Sequence, residues 1–98
     1  MKIYYVYILK CSDDSYYTGF TSNLEQRLNE HKSGKYMDSY TYKRRPIALV
    51  FYAEFTEPNI AIAMEKQIKK WSRAKKEALI ANRFNQLPNL AKKKFKQK

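Results

Sequence analysis

The chain has 98 residues and a formal net charge of +11, because 20 lysines and arginines stand against only nine acidic residues. This length suits one domain with one modest core. No apolar run approaches the ~20 residues of a membrane span, and no signal-peptide pattern is present. We therefore expect a cytoplasmic protein without a membrane partner. The single cysteine, Cys11, and the single histidine, His31, exclude an internal disulfide, a cysteine-rich zinc site and a multi-histidine metal site.

Two strands joined by a turn are the first predicted elements. Residues 3–10 and 16–20 are rich in β-branched and aromatic side chains, and residues 13–15 between them favour a turn. Because side chains alternate across a strand, an even loop places Tyr7 and Tyr17 on opposite faces of the hairpin. An odd loop or a bulge between the strands places both on one face, and a shared function requires that arrangement.

A helix follows the hairpin. Ser22 begins a capping-box pattern, which predicts that the helix starts there. Leu24, Leu28 and His31 recur at helical spacing and predict one buried stripe. Gly34 stands where a left-handed residue commonly ends a helix.

The middle of the chain is irregular and then strand-like. Residues 35–46 combine tyrosines with basic residues and lack apolar periodicity, so we predict a basic, aromatic loop. Two interpretations of its tyrosines stay open, namely stacking on unpaired bases and packing over the sheet edge; the tyrosines are Tyr36, Tyr40 and Tyr42. Residues 47–55 are mostly apolar and predict a central strand.

Two helices complete the predicted domain. Pro58 suits a first helical turn, and Ser72 is expected to cap a second helix that runs to about Arg83. The first helix carries an apolar stripe of Ile60, Met64, Ile68 and Trp71. We therefore predict an α/β domain of the α+β type over residues 1–83, in which helices flank a small, mainly antiparallel three-stranded sheet. A basic tail over residues 84–98 follows it.

Four dispersed side chains carry the chemistry of phosphodiester hydrolysis: Tyr7, Tyr17, Arg27 and Glu65. A phenol can move a proton, a guanidinium can neutralise charge on phosphate, and a carboxylate can hold one divalent metal. Their order and spacing resemble the GIY-YIG nuclease family, in which the first tyrosine matches Tyr7, the second matches Tyr17, the helix arginine matches Arg27 and the metal-binding glutamate matches Glu65. Residues 65–77 look like the signature of the small, single-domain bacterial members.

The resemblance implies a DNA endonuclease that uses a single divalent metal, Mg²⁺ or Mn²⁺, at Glu65. As a hypothesis, Tyr7 or Tyr17 activates a water, while the other tyrosine and Lys10, which matches a lysine of some members, assist. Arg27 would stabilise the transition state, although spacing also permits an ordinary ion pair with Glu30.

Other assignments stay open at this point. His31 follows Arg27 by four residues and reaches the same point, either as a phosphate contact or proton shuttle or as a core-edge histidine. Spacing alone also allows Glu65 to pair with Lys69. The family's closing polar residue has two candidates, Asn82 and Asn85, and Tyr5 and Thr18 stand where the family name has glycine and isoleucine.

The charge excess predicts a polyanionic partner, and DNA is favoured. Sequence-independent contacts to phosphate are assigned to Lys43, Arg44, Arg45, Lys66, Lys69, Lys70, Arg73, Lys75 and Lys76. With no second domain predicted, recognition of DNA shape, of the repair or recombination type, is expected rather than sequence. The alternative function is a non-catalytic nucleic-acid-binding module on the same fold, with RNA as an alternative target to DNA.

Overall fold

The structure, a computed structural model, describes residues 1–81 of the chain. Its elements are β1 (Tyr4–Lys10), β2 (Tyr16–Thr21), α1 (Leu24–Ser33), a short 3₁₀ turn (Tyr42–Arg44), β3 (Ala48–Phe55), α2 (Pro58–Lys69) and α3 (Arg73–Ile80). The predicted α+β architecture with a three-stranded antiparallel sheet is therefore confirmed.

The strand order β2-β1-β3 makes β1 the central strand. The prediction that residues 47–55 form a central strand is wrong, because β3 lies at an edge of the sheet. Burial explains the difference: β1 has four consecutive buried residues, whereas β3 alternates toward its end, with Tyr52 and Glu54 exposed and Ala53 and Phe55 buried. A run that is apolar in composition is thus only half buried in the fold.

The hairpin between β1 and β2 has an odd loop. Lys10 pairs with Tyr16, which leaves the five residues 11–15 in the turn. In this register Tyr7 lies opposite Gly19, and Tyr17 lies opposite Leu9. Because Leu9 is two residues from Tyr7, both tyrosines share one face, as the functional interpretation requires.

Each face of the sheet carries its own core. On one face, Val6 and Ile8 pack with buried side chains of α2 and α3, namely Ala61, Met64, Ile68 and Leu79. On the other face, Tyr7 and Leu9 pack with Leu24 and Leu28 of α1. Coverage on both sides explains why β1 is apolar along its whole middle, and it places the tyrosine pair beneath α1.

Helix α1 begins one residue later than predicted. Its N-cap is Asn23, not Ser22, because the Asn23 carboxamide oxygen accepts the backbone N–H of Gln26 at 3.1 Å. Asn23 is itself held by the Thr21 hydroxyl, which accepts its backbone N–H at 3.0 Å. Gly34 ends the helix at φ 72°, as predicted.

Helices α2 and α3 follow the predicted start signals. Pro58 occupies the first turn of α2, and the Ser72 hydroxyl accepts the backbone N–H of Lys75 to cap α3. The predicted stripe is wrong at Ile60, which is 41% exposed, because Ala61 points into the core in its place. Trp71 lies beyond the end of α2 and packs partly buried against that core.

Several predictions lie outside the described residues: the helix end near Arg83, the domain boundary there, the tail over residues 84–98, and the candidate closing residues Asn82 and Asn85. Within residues 1–81, no helix combines the length and apolar character needed to cross a bilayer.

Candidate functional site

Tyr7 lies at the centre of the site, on the central strand and only 2% exposed. Its ring lies against the backbone of Gly19 on the edge strand β2. A Cβ atom at residue 19 would stand 2.4 Å from both the Cζ and the hydroxyl oxygen of Tyr7. The glycine is therefore required so that the phenol can cross the edge strand.

The Tyr7 hydroxyl begins a chain of buried polar groups. It lies 3.0 Å from Nε2 of His31, and Nδ1 of the same ring lies 2.8 Å from the Thr41 hydroxyl. Thr41 is itself buried and lies 3.3 Å from the Ser39 hydroxyl. His31 is therefore neither a surface residue nor a simple core-edge residue, because both of its ring nitrogens are engaged.

Thr41 was not identified from the sequence. It stands in the basic, aromatic loop between two tyrosines, and no local pattern distinguishes it from a solvent-exposed threonine. Only the folding of this loop over α1 brings its hydroxyl to His31.

Arg27 of α1 acts on the same phenol. Its guanidinium lowers the pKa of Tyr7, and its Nη1 donates to the Glu30 carboxylate at 3.0 Å. The Tyr36 ring lies 5.5 Å from the guanidinium carbon. The ion pair with Glu30 that the spacing permits is thus present, and a role for Arg27 in stabilising the transition state stays a prediction.

Tyr17 contributes the second phenol from the same face. Its ring centroid lies 6.4 Å from that of Tyr7 and 5.4 Å from the His31 ring. Tyr40 of the loop stacks on it at 5.8 Å with a 22° interplanar angle. The aromatic loop therefore packs directly onto the tyrosine pair.

Electrostatics keep the central groups neutral. Burial raises the pKa of Tyr7 to about 12; the nearby Arg27 guanidinium opposes this shift, whereas repulsion from Tyr17 and Glu65 adds to it. Burial also lowers the pKa of His31, as does the nearby Arg27 charge, against a smaller opposing effect of Glu30. At neutral pH the pair is therefore a phenol and an uncharged imidazole.

Glu65 lies on α2, on the other side of the sheet from α1. Its side chain is 13% exposed, and its Oε2 accepts from the Lys69 ammonium at 2.8 Å. Its charge adds a small upward shift to the pKa of Tyr7. The alternative ion pair with Lys69 is thus present in the structure.

The donor set around Glu65 fits one hard cation. Magnesium is commonly held by one or two carboxylates, with water and substrate phosphate completing its shell. Within residues 1–81 there is no group of three or more histidine, cysteine or acidic side chains placed to share a metal. A single carboxylate suits Mg²⁺ or Mn²⁺ and does not suit zinc or a two-metal site.

Lys10 lies apart from this cluster. It stands three residues after Tyr7 on β1, so alternation directs it to the opposite face of the sheet. Its ammonium is 3.7 Å from the Asp14 carboxylate in the hairpin loop. The structure thus brings Tyr7, Tyr17 and His31 together, with Arg27 and Glu65 acting on Tyr7 through their charges, and leaves Lys10 apart.

The arginines that we assigned to the nucleic-acid surface already contact other groups of the protein. Arg44 pairs with Asp13 at 3.1 Å and lies 3.9 Å over the Tyr40 ring. Arg73 pairs with Glu77 at 3.1 Å and tethers α3 to the hairpin loop. Arg45 lies 4.5 Å over a tyrosine ring and donates to that residue's backbone carbonyl.

Several lysines, in contrast, present exposed charge. In the described part of the chain no ion pair involves Lys43, Lys66 or Lys70, and all three are exposed. Lys75 lies over the Trp71 ring, and burial lowers the pKa of Lys76. The exposed lysines are therefore the better candidates for contacts to phosphate.

Comparison with known proteins agrees with this architecture. A family model described as the GIY-YIG catalytic domain matches residues 3–78. The UPF0213 protein of Syntrophus aciditrophicus (strain SB) is 53% identical over 76 residues, which span 78% of this chain and 87% of that protein.

Two solved structures are also similar. The solution NMR structure of the UPF0213 protein BH0048 from Bacillus halodurans has 42% sequence identity and a TM-score of 0.54, covering 81% of this chain and 83% of that one. The solution NMR structure of the protein EF2693 from E. faecalis has 34% identity and a TM-score of 0.60, covering 90% and 92%.

Proposed function

The chain belongs to the GIY-YIG family, and from that premise we propose that it is a divalent-metal-dependent DNA endonuclease. The observation that supports this function best is the surroundings of the Tyr7 hydroxyl. An imidazole lies 3.0 Å away, and the charges of a guanidinium and of a carboxylate act on it. These groups can move a proton and bind phosphate within one small region.

The proton path runs through Tyr7 to His31. With the imidazole proton on Nδ1, where it is donated to Thr41, the Tyr7 hydroxyl donates to Nε2. As a water attacks phosphorus, the Tyr7 oxygen accepts the water's proton and the Tyr7 proton passes to His31. This relay avoids a free phenolate, which a pKa of about 12 makes rare at neutral pH, and it requires the uncharged imidazole that burial favours.

In this proposal, Arg27 and Tyr17 bind the phosphate that is cleaved. The guanidinium neutralises negative charge that grows on the non-bridging oxygens as the water attacks. To do so, Arg27 shares its donors between Glu30 and the substrate, since one Nη1 bond to Glu30 already fixes its orientation. The Tyr17 hydroxyl hydrogen-bonds to the same phosphate from the neighbouring strand.

Glu65 is the residue that would hold the metal. A bound divalent ion supplies positive charge that stabilises the leaving oxygen. Glu65 provides one anionic ligand from α2, and its low exposure limits competition from bulk water.

The preferred substrate is expected to be DNA of unusual shape, such as a nick, flap or branch. Exposed lysines on α2 and on the 3₁₀ turn bind backbone phosphate without reading bases. The three loop tyrosines each lie near a cation, because Tyr36, Tyr40 and Tyr42 face arginine or lysine side chains.

Cleavage of labelled single-stranded, duplex, nicked, flap and four-way DNA in Mg²⁺, Mn²⁺ or EDTA tests the proposal. We expect metal-dependent products from the wild type, and a loss of at least about 10²-fold in Tyr7→Phe, Arg27→Ala and Glu65→Gln. The matched controls are Tyr52→Phe and Glu54→Gln on the exposed edge strand, which should cleave normally. Equal cleavage by Glu65→Gln and the wild type would refute the metal assignment.

A non-catalytic nucleic-acid-binding module is the second candidate. Two ion pairs favour it, since Glu65 is neutralised by Lys69 and Arg27 by Glu30. Salt-sensitive binding without products under any metal would support this function, particularly if Glu65→Gln left affinity unchanged. A preference for duplex RNA over matched DNA in the same binding assay would direct the module to RNA.

A further inference from the structure

The carboxylate assigned to the metal already has a cationic partner. Lys69 follows Glu65 by one helical turn of α2, and the two charged groups are 2.8 Å apart. The Glu65 side chain is 13% exposed and that of Lys69 is 51% exposed. The anion is thus held in place while the cation remains free to leave.

The Lys69 ammonium occupies the coordination space of the carboxylate. At 2.8 Å from Oε2 it stands where a divalent ion bound to that oxygen would have to stand. Its charge also interacts with Tyr17. Two cations cannot share this one carboxylate without repulsion.

We propose that Lys69 blocks metal binding at Glu65 until nucleic acid binds. The Lys69 ammonium then leaves the carboxylate and pairs with a nucleic-acid phosphate, so that metal binding depends on bound nucleic acid. This proposal rests on the proposed function, because it takes Glu65 as the metal ligand. A lysine suits the task because its ammonium sits on a flexible four-carbon stem and binds either anion as a point charge. The free protein then binds metal weakly and acquires it together with its substrate.

The proposal predicts a measurable competition in the absence of DNA. Free Mn²⁺ is followed by electron paramagnetic resonance as it is titrated with protein. Removal of the competing ammonium in Lys69→Met should tighten Mn²⁺ binding by about 1.5- to 5-fold, the fold-change that corresponds to the range of strengths of surface ion pairs. Lys69→Arg, which keeps the pair, should retain the wild-type affinity.

The control variant is Lys66→Met on the same helix. Lys66 is next to Glu65, is exposed and has no ion pair among the described residues. Its replacement removes the same unit of charge without freeing the carboxylate. Tightening in Lys66→Met equal to that in Lys69→Met would show a general field effect and overturn the proposal.

A second measurement uses a phosphorothioate-linked DNA duplex, which keeps the backbone charge and resists cleavage. Its affinity is measured by fluorescence anisotropy with and without Mn²⁺. Because coupling is reciprocal, Mn²⁺ and DNA should each tighten the binding of the other in the wild type. Without DNA, Lys69→Met should already bind Mn²⁺ more tightly than the wild type, because no ammonium competes for the Glu65 carboxylate. The coupling between Mn²⁺ and DNA in this variant should therefore be smaller by the same factor.

The outcomes separate the two proposals. If Glu65→Gln binds Mn²⁺ as the wild type does, the metal assignment itself fails. If Glu65→Gln loses Mn²⁺ but Lys69→Met gains no affinity and keeps the full coupling, the metal assignment stands and the role of Lys69 is refuted.

Discussion

Replacement of Gly19 by alanine tests how closely Tyr7 is positioned. The added Cβ would stand 2.4 Å from the Cζ and the hydroxyl oxygen of Tyr7, where ordinary contacts begin near 3.4 Å. The phenol must therefore retreat by about 1 Å, and it is buried on the central strand with no solvent to move into.

The displacement acts on the bond to His31. That bond is 3.0 Å long, so a shift of about 1 Å takes it beyond hydrogen-bonding range. A misplacement of this size at a reacting group costs about 10²-fold in rate. The overpacking itself is expected to lower the free energy of unfolding by about 1–3 kcal/mol.

Single-turnover cleavage and urea unfolding measure the two effects separately. Tyr7→Phe supplies the matched background: if Gly19→Ala acts through the Tyr7 hydroxyl, adding it to Tyr7→Phe should cause little further loss of activity. Near-normal cleavage by Gly19→Ala, or losses in the two variants that simply multiply, would refute the reasoning.

Three further predictions concern buried polar groups. Thr18→Val should raise the free energy of unfolding, measured in urea, by about 1–2 kcal/mol, because the Thr18 hydroxyl is buried without a hydrogen-bond partner. The control is Thr21→Val, which removes a hydroxyl that is hydrogen-bonded to the backbone of Asn23, the N-cap of α1. This variant should lower the free energy of unfolding. Since the pKa of His31 is lower in the folded protein than its ordinary 6.5, the unfolded chain takes up the proton first, and stability should fall as pH drops from 6.5 to the native pKa. Urea unfolding across this range should show the fall in the wild type but not in His31→Asn. In an alkaline absorbance titration, one of the nine tyrosines should ionise near pH 12, and Tyr7→Phe should remove that phase.

The odd number of residues in the loop between β1 and β2 is the feature of the site that the sequence predicted best. A shared function for Tyr7 and Tyr17 required an odd loop, and the structure has five residues there. The inference succeeded because strand alternation is a rigid geometric rule that needs no knowledge of the rest of the fold. The helix signals at Gly34 and Ser72 are local in the same sense.

Predictions that depend on tertiary packing fared worse. The apolar run over residues 47–55 is equally compatible with a central strand and with an edge strand that one helix layer covers. Ile60 fits the helical period as well as Ala61, and only the direction in which α2 crosses the sheet selects Ala61 for the core. Neither the amino-acid composition of α2 nor the spacing of its apolar residues specifies the direction in which the helix crosses the sheet.

The position of Gly19 explains how side chains from both faces of one sheet reach a common site. Tyr7 starts on the face covered by α1, whereas Glu65 belongs to α2 on the opposite face. Strand β2 is the edge strand, and the missing side chain at Gly19 lets the phenol extend across it. The Tyr7 phenol thereby meets the field of a carboxylate that belongs to the opposite face. It follows that a larger residue at position 19 would displace the phenol from this position, even if every other functional side chain were retained.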